Sequence, residues 1–196
     1  ALACIKQAAA LSNHELGLLD EQRCNAISAA CTELLDGKLH EQFVVDVIQG
    51  GAGTSTNMNA NEVIANRALE LLGHRKGEYQ YLHPNEQVNI GQSTNDVYPS
   101  ALKIATWFGI LGLIDAMAVL RQAFEAKAEE FQDVLKMGRT QLQDAVPMTL
   151  GQEFAAFAAM LADDERRLRE SAYLMCEINM GGTAIGTGIN APVGYV

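Results

Sequence analysis

The longest stretch of helix-compatible sequence runs from Ser100 to Lys136 and limits the folds that this chain can adopt. The weakest helix formers within it are Gly109 and Gly112, and a helix interior tolerates a glycine at a cost of about 1 kcal/mol. At 1.5 Å per residue this helix would be roughly 55 Å long, whereas a compact globule of this chain length is roughly 40 Å across. The predicted helix therefore cannot fit inside a small compact globule.

The same helix is predicted to be enclosed by other helices. Between Ala101 and Leu120 the only charged residues are Lys103 and Asp115, so apolar side chains surround the helix instead of forming one stripe. The uncharged run 104–114 is much shorter than the roughly 18 to 20 residues that cross a membrane. We therefore expect a core helix, and no membrane association.

Helical patterns also cover the first part of the chain. Residues 1–16 and 20–36 are rich in alanine and leucine, with Asp20 as a candidate N-cap and Gly37 as a candidate stop. The β-branched stretch Phe43–Ile48 predicts an extended segment.

Capping patterns predict two more helices. The capping box Asn59–Glu62 should open a helix that ends at Gly73. The capping box Thr149–Gln152, which follows a proline, should open a second long helix that ends at Gly181–Gly182. Together these patterns predict an all-α fold.

Three loops are rich in hydrogen-bond donors: Gly50–Glu62, Gln92–Pro99 and Gly138–Pro147. Each carries hydroxyl and amide side chains, and the first two run directly into predicted helices. A helix N-terminus has unsatisfied N–H groups and a partial positive charge, so such donors can bind a carboxylate or phosphate without a lysine. Ordinary helix capping explains any one of these loops, but three in one chain favour a shared anionic ligand.

The loops resemble segments of the aspartase/fumarase superfamily. The similar segments are GTSTNMNANEV at 53–63, QSTNDVYP at 92–99, GRTQLQDAVPMTLGQE at 138–153 and GGTAIGTGIN at 181–190. The resemblance implies part of an amino-terminal, mainly helical domain at residues 1–95. It also implies the first long helices of a central helical bundle at residues 96–196, within a cytoplasmic homotetramer of D2 symmetry.

The resemblance further implies a carbon–nitrogen lyase. The reaction would be reversible deamination of L-aspartate to fumarate and ammonia, by anti elimination through an aci-carboxylate intermediate. Gln141 stands where fumarases and some aspartases carry histidine, and Ala52 where fumarases typically carry serine. Both differences favour an aspartase over a fumarase, which remains the alternative within the superfamily.

Six residues match substrate-binding positions of the superfamily. By this resemblance, Ser93, Thr94 and Thr140 hold the carboxylate next to the acidic carbon. Thr54 and Asn95 contact the other carboxylate and the amino group. The six residues are Thr54, Ser93, Thr94, Asn95, Thr140 and Gln141.

The superfamily's general base is a serine in a loop of the type G-S-S-x-M-P-x-K-x-N-P, and this sequence contains no such stretch. No catalytic residue is therefore predicted here. We expect the chain to be an internal piece of a longer protein and to be inactive alone. The non-enzymatic alternative is a helical, oligomerising piece whose polar loops serve only as helix caps.

Composition excludes several other functions. A net charge of −10 argues against nucleic acid and anionic membranes as partners. The four histidines lack ligand spacing and the four cysteines lack C-x-x-C spacing, so no metal, other cofactor or disulfide is expected. The glycine loop lacks the Gly-Lys-Ser/Thr ending of a nucleotide P-loop, and Ser93 lacks the setting of a hydrolase nucleophile. The expected partners are a small-molecule substrate and further copies of the chain.

Overall fold

The computed structural model describes residues 1–48 and 51–195, so Gly50 of the first donor-rich loop lies outside the described residues. The described part is mainly helical, with one antiparallel hairpin. Short 3-10 and π-helical turns occupy His40–Gln42 and Pro84–Val88. The main elements are α1 (Leu2–Glu15), α2 (Glu21–Leu35), α3 (Thr54–Leu71), α4 (Thr94–Glu130), β1 (Leu135–Thr140), β2 (Gln143–Thr149) and α5 (Leu150–Leu174).

The chain divides into two compact units. One contains Ala1–Ala105 together with the chain from Ile178 onward, and the other contains Thr106–Glu177. The division predicted at residue 95 stays a prediction, because it concerns domains of a longer protein.

Helices α1, α2 and α3 form the core of the first unit. Small residues let the helices approach closely, and fully buried Ile27, Ile64 and Leu69 fill the space between them. The predicted start of α2 is confirmed, since the side chain of Asp20 accepts from the backbone N–H of Arg23 at 2.9 Å.

The capping box predicted at Asn59–Glu62 is wrong. Helix α3 begins at Thr54, directly after Gly53, whose φ of 82° is in the left-handed region that glycine favours. Asn59 instead donates to the carbonyl of Gln42 and accepts from the backbone N–H of Val44. It thereby holds the segment before the glycine loop, in which no strand forms among the described residues.

Helix α4 lies six residues earlier than predicted at both ends. It begins at Thr94, so Pro99 is inside the helix and leaves the carbonyl of Asn95 without its usual N–H partner. The Nδ2 of Asn179 donates to that carbonyl at 3.1 Å. A side chain from a later segment thus replaces the missing backbone hydrogen bond.

The third donor-rich loop was expected to be irregular but is a β-hairpin. Leu135 pairs with Thr149 and Thr140 pairs with Gln143, with an irregular register opposite Gly138. The two-residue turn, Gln141 and Leu142, has φ values of 46° and 61°.

The capping box of α5 is confirmed, because Thr149 and Gln152 exchange hydrogen bonds at 3.0 and 3.1 Å. The helix ends at Leu174 and not at the predicted glycine pair. Its first turn packs tightly on α4, where a Cβ at Gly151 would lie 2.5 Å from the carbonyl oxygen of Ala128.

Within the described residues, α4 has the length and the apolar composition that a membrane-crossing helix needs. Core helices of soluble proteins also meet this criterion. Only 6% of its most apolar window is buried in this chain. Phe108 and Val119, for example, are 61% and 68% exposed. The enclosing helices expected from the sequence are thus not supplied by the described residues.

Candidate anion-binding site

The start of α4 is capped by the side chains of Ser93 and Asp96. The Oγ of Ser93 accepts from the backbone N–H of Asn95 at 3.2 Å, and Oδ1 of Asp96 accepts from the backbone N–H of Ser93 at 2.9 Å. Because Oγ of Ser93 already accepts a hydrogen bond from the protein, its own proton is available for donation. The half-buried Ser93 can therefore offer an O–H to an anion.

Thr94 has the same polarity. It is buried, and its Oγ1 accepts from Nδ2 of Asn57 on α3 at 3.1 Å. The threonine proton is consequently directed away from Asn57. Two adjacent hydroxyls at one helix N-terminus can thus act as donors, on the helix end that favours negative charge.

Asn95 is exposed and is held by the segment 179–184. Its Nδ2 donates to the carbonyl of Ala184 at 2.7 Å. Oδ2 of the fully buried Asp96 accepts from the backbone N–H of Thr183 at 2.8 Å. The fourth resembling segment, to which the sequence assigned no role, therefore fixes the second and third residues of α4.

Thr54 is the first residue of α3 and is exposed. The preceding glycine lies directly under the ring of Tyr98, and a Cβ at Gly53 would overlap that ring. This contact and the bond from Asn57 to Thr94 hold the first turn of α3 against the first turns of α4. The structure thus brings Thr54 to the same region as Ser93, Thr94 and Asn95.

Thr140 and Gln141 lie in the other compact unit, at the tip of the hairpin. Thr140 is the last residue of β1, Gln141 is the first residue of the turn, and both are exposed. Left-handed φ values at Gln141 and Leu142 cost roughly 1 to 2 kcal/mol per residue. The hairpin therefore holds an exposed donor-rich tip at some cost in backbone energy.

Sequence reasoning missed Asn57 and Asp96, which position these donors. The spacing of Ser93 and Asp96 fits an S-x-x-D capping box, so a signal for the carboxylate was present. The contact of Asn57 with Thr94 joins residues far apart in sequence and had no local signal. Among residues 1–48 and 51–195, no cluster of three or more histidine, cysteine, aspartate or glutamate side chains could hold a metal ion.

Comparison with known proteins finds relatives across the whole chain. The lyase family matches residues 1–196. The aspartate ammonia-lyase of Pseudomonas canavaninivorans is 64% identical over 195 residues, which are 99% of this chain and 41% of that protein. The aspartate ammonia-lyase of Escherichia coli (strain K12) is 57% identical over 195 residues, again 99% of this chain and 41% of that protein.

Two solved structures have the same fold over nearly all of the chain. A fumarate lyase:delta crystallin from Brucella melitensis superposes with a TM-score of 0.97 at 60% identity, covering 99% of this chain and 42% of the other. A class II fumarase from Schistosoma mansoni superposes with a TM-score of 0.94 at 37% identity, covering 99% of this chain and 41% of the other. The chain thus spans about two fifths of the length of the proteins that it matches.

Proposed function

The chain belongs to the lyase family, and from this we propose that it is part of an enzyme that reversibly deaminates L-aspartate to fumarate and ammonia. Relatives named aspartate ammonia-lyase, 57% and 64% identical, support this activity over that of a fumarase. Gln141 and Ala52, the two positions at which the sequence departs from fumarases, support the same choice.

The observation that carries the proposal is the polarity of the two hydroxyls at the start of α4. Removal of the weakly acidic Cβ proton of aspartate leaves a carbanion whose charge spreads into the adjacent carboxylate. Donors at that carboxylate therefore bind the transition state more tightly than the ground state. Ser93 and Thr94 both accept a hydrogen bond from the protein and so present their protons as such donors.

The remaining predicted site residues have complementary roles in this proposal. From the superfamily resemblance alone, Thr140 is a further carboxylate donor, with Gln141 beside it at the hairpin tip. Thr54 and Asn95 contact the second carboxylate and the amino group. The general base comes from a loop outside this sequence, so the 196-residue chain alone does not turn over aspartate.

The exposed apolar surface of α4 supports the assembly that the superfamily resemblance implies. Half or more of Phe108, Leu113 and Val119 is exposed, and a helix that is apolar on all sides requires cover on all sides. We propose that further helices of the same subunit and of its copies cover this surface in a cytoplasmic homotetramer of D2 symmetry. At micromolar concentration the chain alone should self-associate. A single ideal 21.2 kDa species in sedimentation equilibrium would contradict this.

The activity is tested on the full-length protein that contains this chain. Fumarate formation, followed by its absorbance, should give a specificity constant for L-aspartate far above that for L-malate. Comparable constants would transfer the assignment to fumarase. The chain alone serves as the negative control, and turnover by it would disprove the assignment of the base to another segment.

A further inference from the structure

A lysine is completely buried in α1. Lys6 has 0% exposure, and its Nζ donates to Oδ1 of Asn89 at 2.7 Å and to Oε1 of Gln92 at 2.8 Å. Lysine is almost never fully buried unless it is paired, and an apolar side chain at this position would avoid the cost of desolvating an amine. The polar contacts of Lys6 therefore indicate a role for its amine.

Its contacts belong to a cluster of amides that ends at the candidate site. The Oδ1 of Asn89 also accepts from Nδ2 of Asn61 at 3.2 Å and from Nδ2 of Asn57 at 3.4 Å. Asn57 is the residue that donates to Thr94. We call Lys6, Asn57, Asn61, Asn89 and Gln92 the Lys6 cluster; it joins α1, α3 and the start of α4.

The cluster also fixes the residue directly before Ser93. The Nε2 of Gln92 donates to the carbonyls of Val88 and Ile90 at 3.1 and 3.2 Å, while its Oε1 accepts from Lys6. The side chain of Gln92 is thus held from both ends. Without Lys6, the side chain of Gln92 would lose its donor from α1, while Asn13 of α1 would still donate to the carbonyl of Ile90 at 3.1 Å.

The charge of Lys6 is balanced between opposing effects. Burial lowers its pKa from 10.5 to about 7, while the negative charge of Asp96 on α4 acts to raise it. Cys31 on α2 also faces the amine, but burial raises the pKa of that thiol to about 12, so it stays neutral. Either form of Lys6 has the two N–H groups that its hydrogen bonds need.

We propose that Lys6 is a positioning residue for the anion-binding site: through Asn89, Gln92 and Asn57 it orients Ser93 and Thr94 as donors to the substrate carboxylate. The inference rests on the proposed function for the identity of the substrate. The orientation itself can be tested separately, by hydrogen exchange.

The test uses Lys6→Met in the full-length protein, which keeps side-chain volume and removes the donors. Backbone hydrogen exchange should become at least about tenfold faster in 88–97, where the cluster's hydrogen bonds are lost, and unchanged in the hairpin 135–149. The kcat/KM for L-aspartate, per folded active site, should fall about 10- to 100-fold, as for misplaced binding groups. Lys38→Met, the same change at an exposed lysine, is the matched control and should alter neither quantity.

The possible outcomes are distinct. Unchanged exchange in 88–97 overturns the proposal, and so does faster exchange throughout the protein with normal kcat/KM per folded site. If the wild-type protein does not act on aspartate, the proposed function fails, but exchange in 88–97 still decides whether Lys6 positions this segment.

A second variant covers the case in which Lys6→Met does not fold. Gln92→Met removes one acceptor of Lys6 together with the donors to the carbonyls of Val88 and Ile90, and leaves the bond from Lys6 to Asn89. It should raise exchange in 88–97 and lower kcat/KM. In the double variant the effects should be less than additive, because both changes break the hydrogen bond between Lys6 and Gln92. Full additivity, or a Gln92→Met variant that matches wild type, overturns the proposal.

Discussion

Asp96→Asn tests whether the buried carboxylate fixes the start of α4. Asp96 is fully buried and accepts from two backbone N–H groups, that of Ser93 at 2.9 Å and that of Thr183 at 2.8 Å. Asparagine has nearly the same shape but only one acceptor oxygen. One of the two N–H groups would then face an NH₂ group, and two donors cannot bond to each other.

The expected loss can be estimated from these two bonds. A hydrogen bond to a charged group contributes about 1.5 to 3 kcal/mol, and a buried donor left unsatisfied costs about 1 to 3 kcal/mol. The two figures overlap and are not added, because both include the loss of the same hydrogen bond. We expect about 2 to 3 kcal/mol for opening of the segment whose N–H loses its acceptor, either 92–97 or 179–184. At about 1.4 kcal/mol per factor of ten, backbone exchange there should be about 30- to 150-fold faster.

Hydrogen exchange measured by mass spectrometry on peptides covering 92–97 and 178–190 of the full-length protein gives this number directly. Asp144→Asn is the matched control, because Asp144 is exposed and pairs with Arg139 at 3.0 Å on the hairpin. Exposed pairs contribute about 0 to 1 kcal/mol, so the control should change exchange by less than about fivefold. Wild-type exchange at both 92–97 and 178–190 in Asp96→Asn, or an equal effect of the control variant, would refute the argument.

Three further predictions concern activity, packing and pH. In the full-length protein, Ser93→Ala or Thr140→Ala should lower kcat/KM for aspartate by roughly 100-fold, the effect of deleting one transition-state donor; near-wild-type rates would return both residues to a structural role. Gly151→Ala should lower the free energy of unfolding by about 1 to 3 kcal/mol, because its Cβ would lie 2.5 Å from the carbonyl oxygen of Ala128; an unchanged denaturation midpoint would show that α5 can shift without cost. Burial lowers the pKa of Lys6 from 10.5 to about 7, so below pH 7 the folded state must bury a charged amine and is destabilised by it. This penalty disappears as pH rises from 7 to 10.5. The melting temperature of Lys6→Met minus that of wild type should therefore be higher at pH 6.5 than at pH 9.5. A difference that does not change with pH would contradict the lowered pKa of Lys6.

The features that the sequence predicted well are those with local causes. The N-cap at Asp20 and the capping box Thr149–Gln152 depend on residues within one helical turn, and both are confirmed. The box at Asn59–Glu62 had the same local pattern, but Asn59 bonds to Gln42 and Val44 from a distant segment instead. Tertiary contacts thus overrode a local signal.

The hairpin was missed for a different reason. Two-residue hairpin turns are usually announced by Asn-Gly or Asp-Gly, because both turn residues need positive φ. Here Gln141 and Leu142 occupy those positions, and the strands are largely exposed and mix polar with apolar residues such as Leu135 and Val146. The sequence therefore offered neither turn chemistry nor a sustained alternation of apolar and polar residues.

The balance of charge around α4 explains how a protein of net charge −10 could still bind an anion there. A carboxylate in the first turn, that of Asp96, competes with an anionic ligand for the positive end of the helix. Its oxygens are already occupied by two N–H groups, and the electrostatic influence between it and Lys6 favours the protonated amine. A protonated Lys6 offsets the buried negative charge, so under the proposed function the two hydroxyls would meet the substrate in a nearly neutral surrounding. Deprotonation leaves Asp96 uncompensated while every hydrogen bond of the Lys6 cluster can persist. If the proposed function holds, affinity for a dicarboxylate should then depend on the protonation of Lys6, which is fully buried.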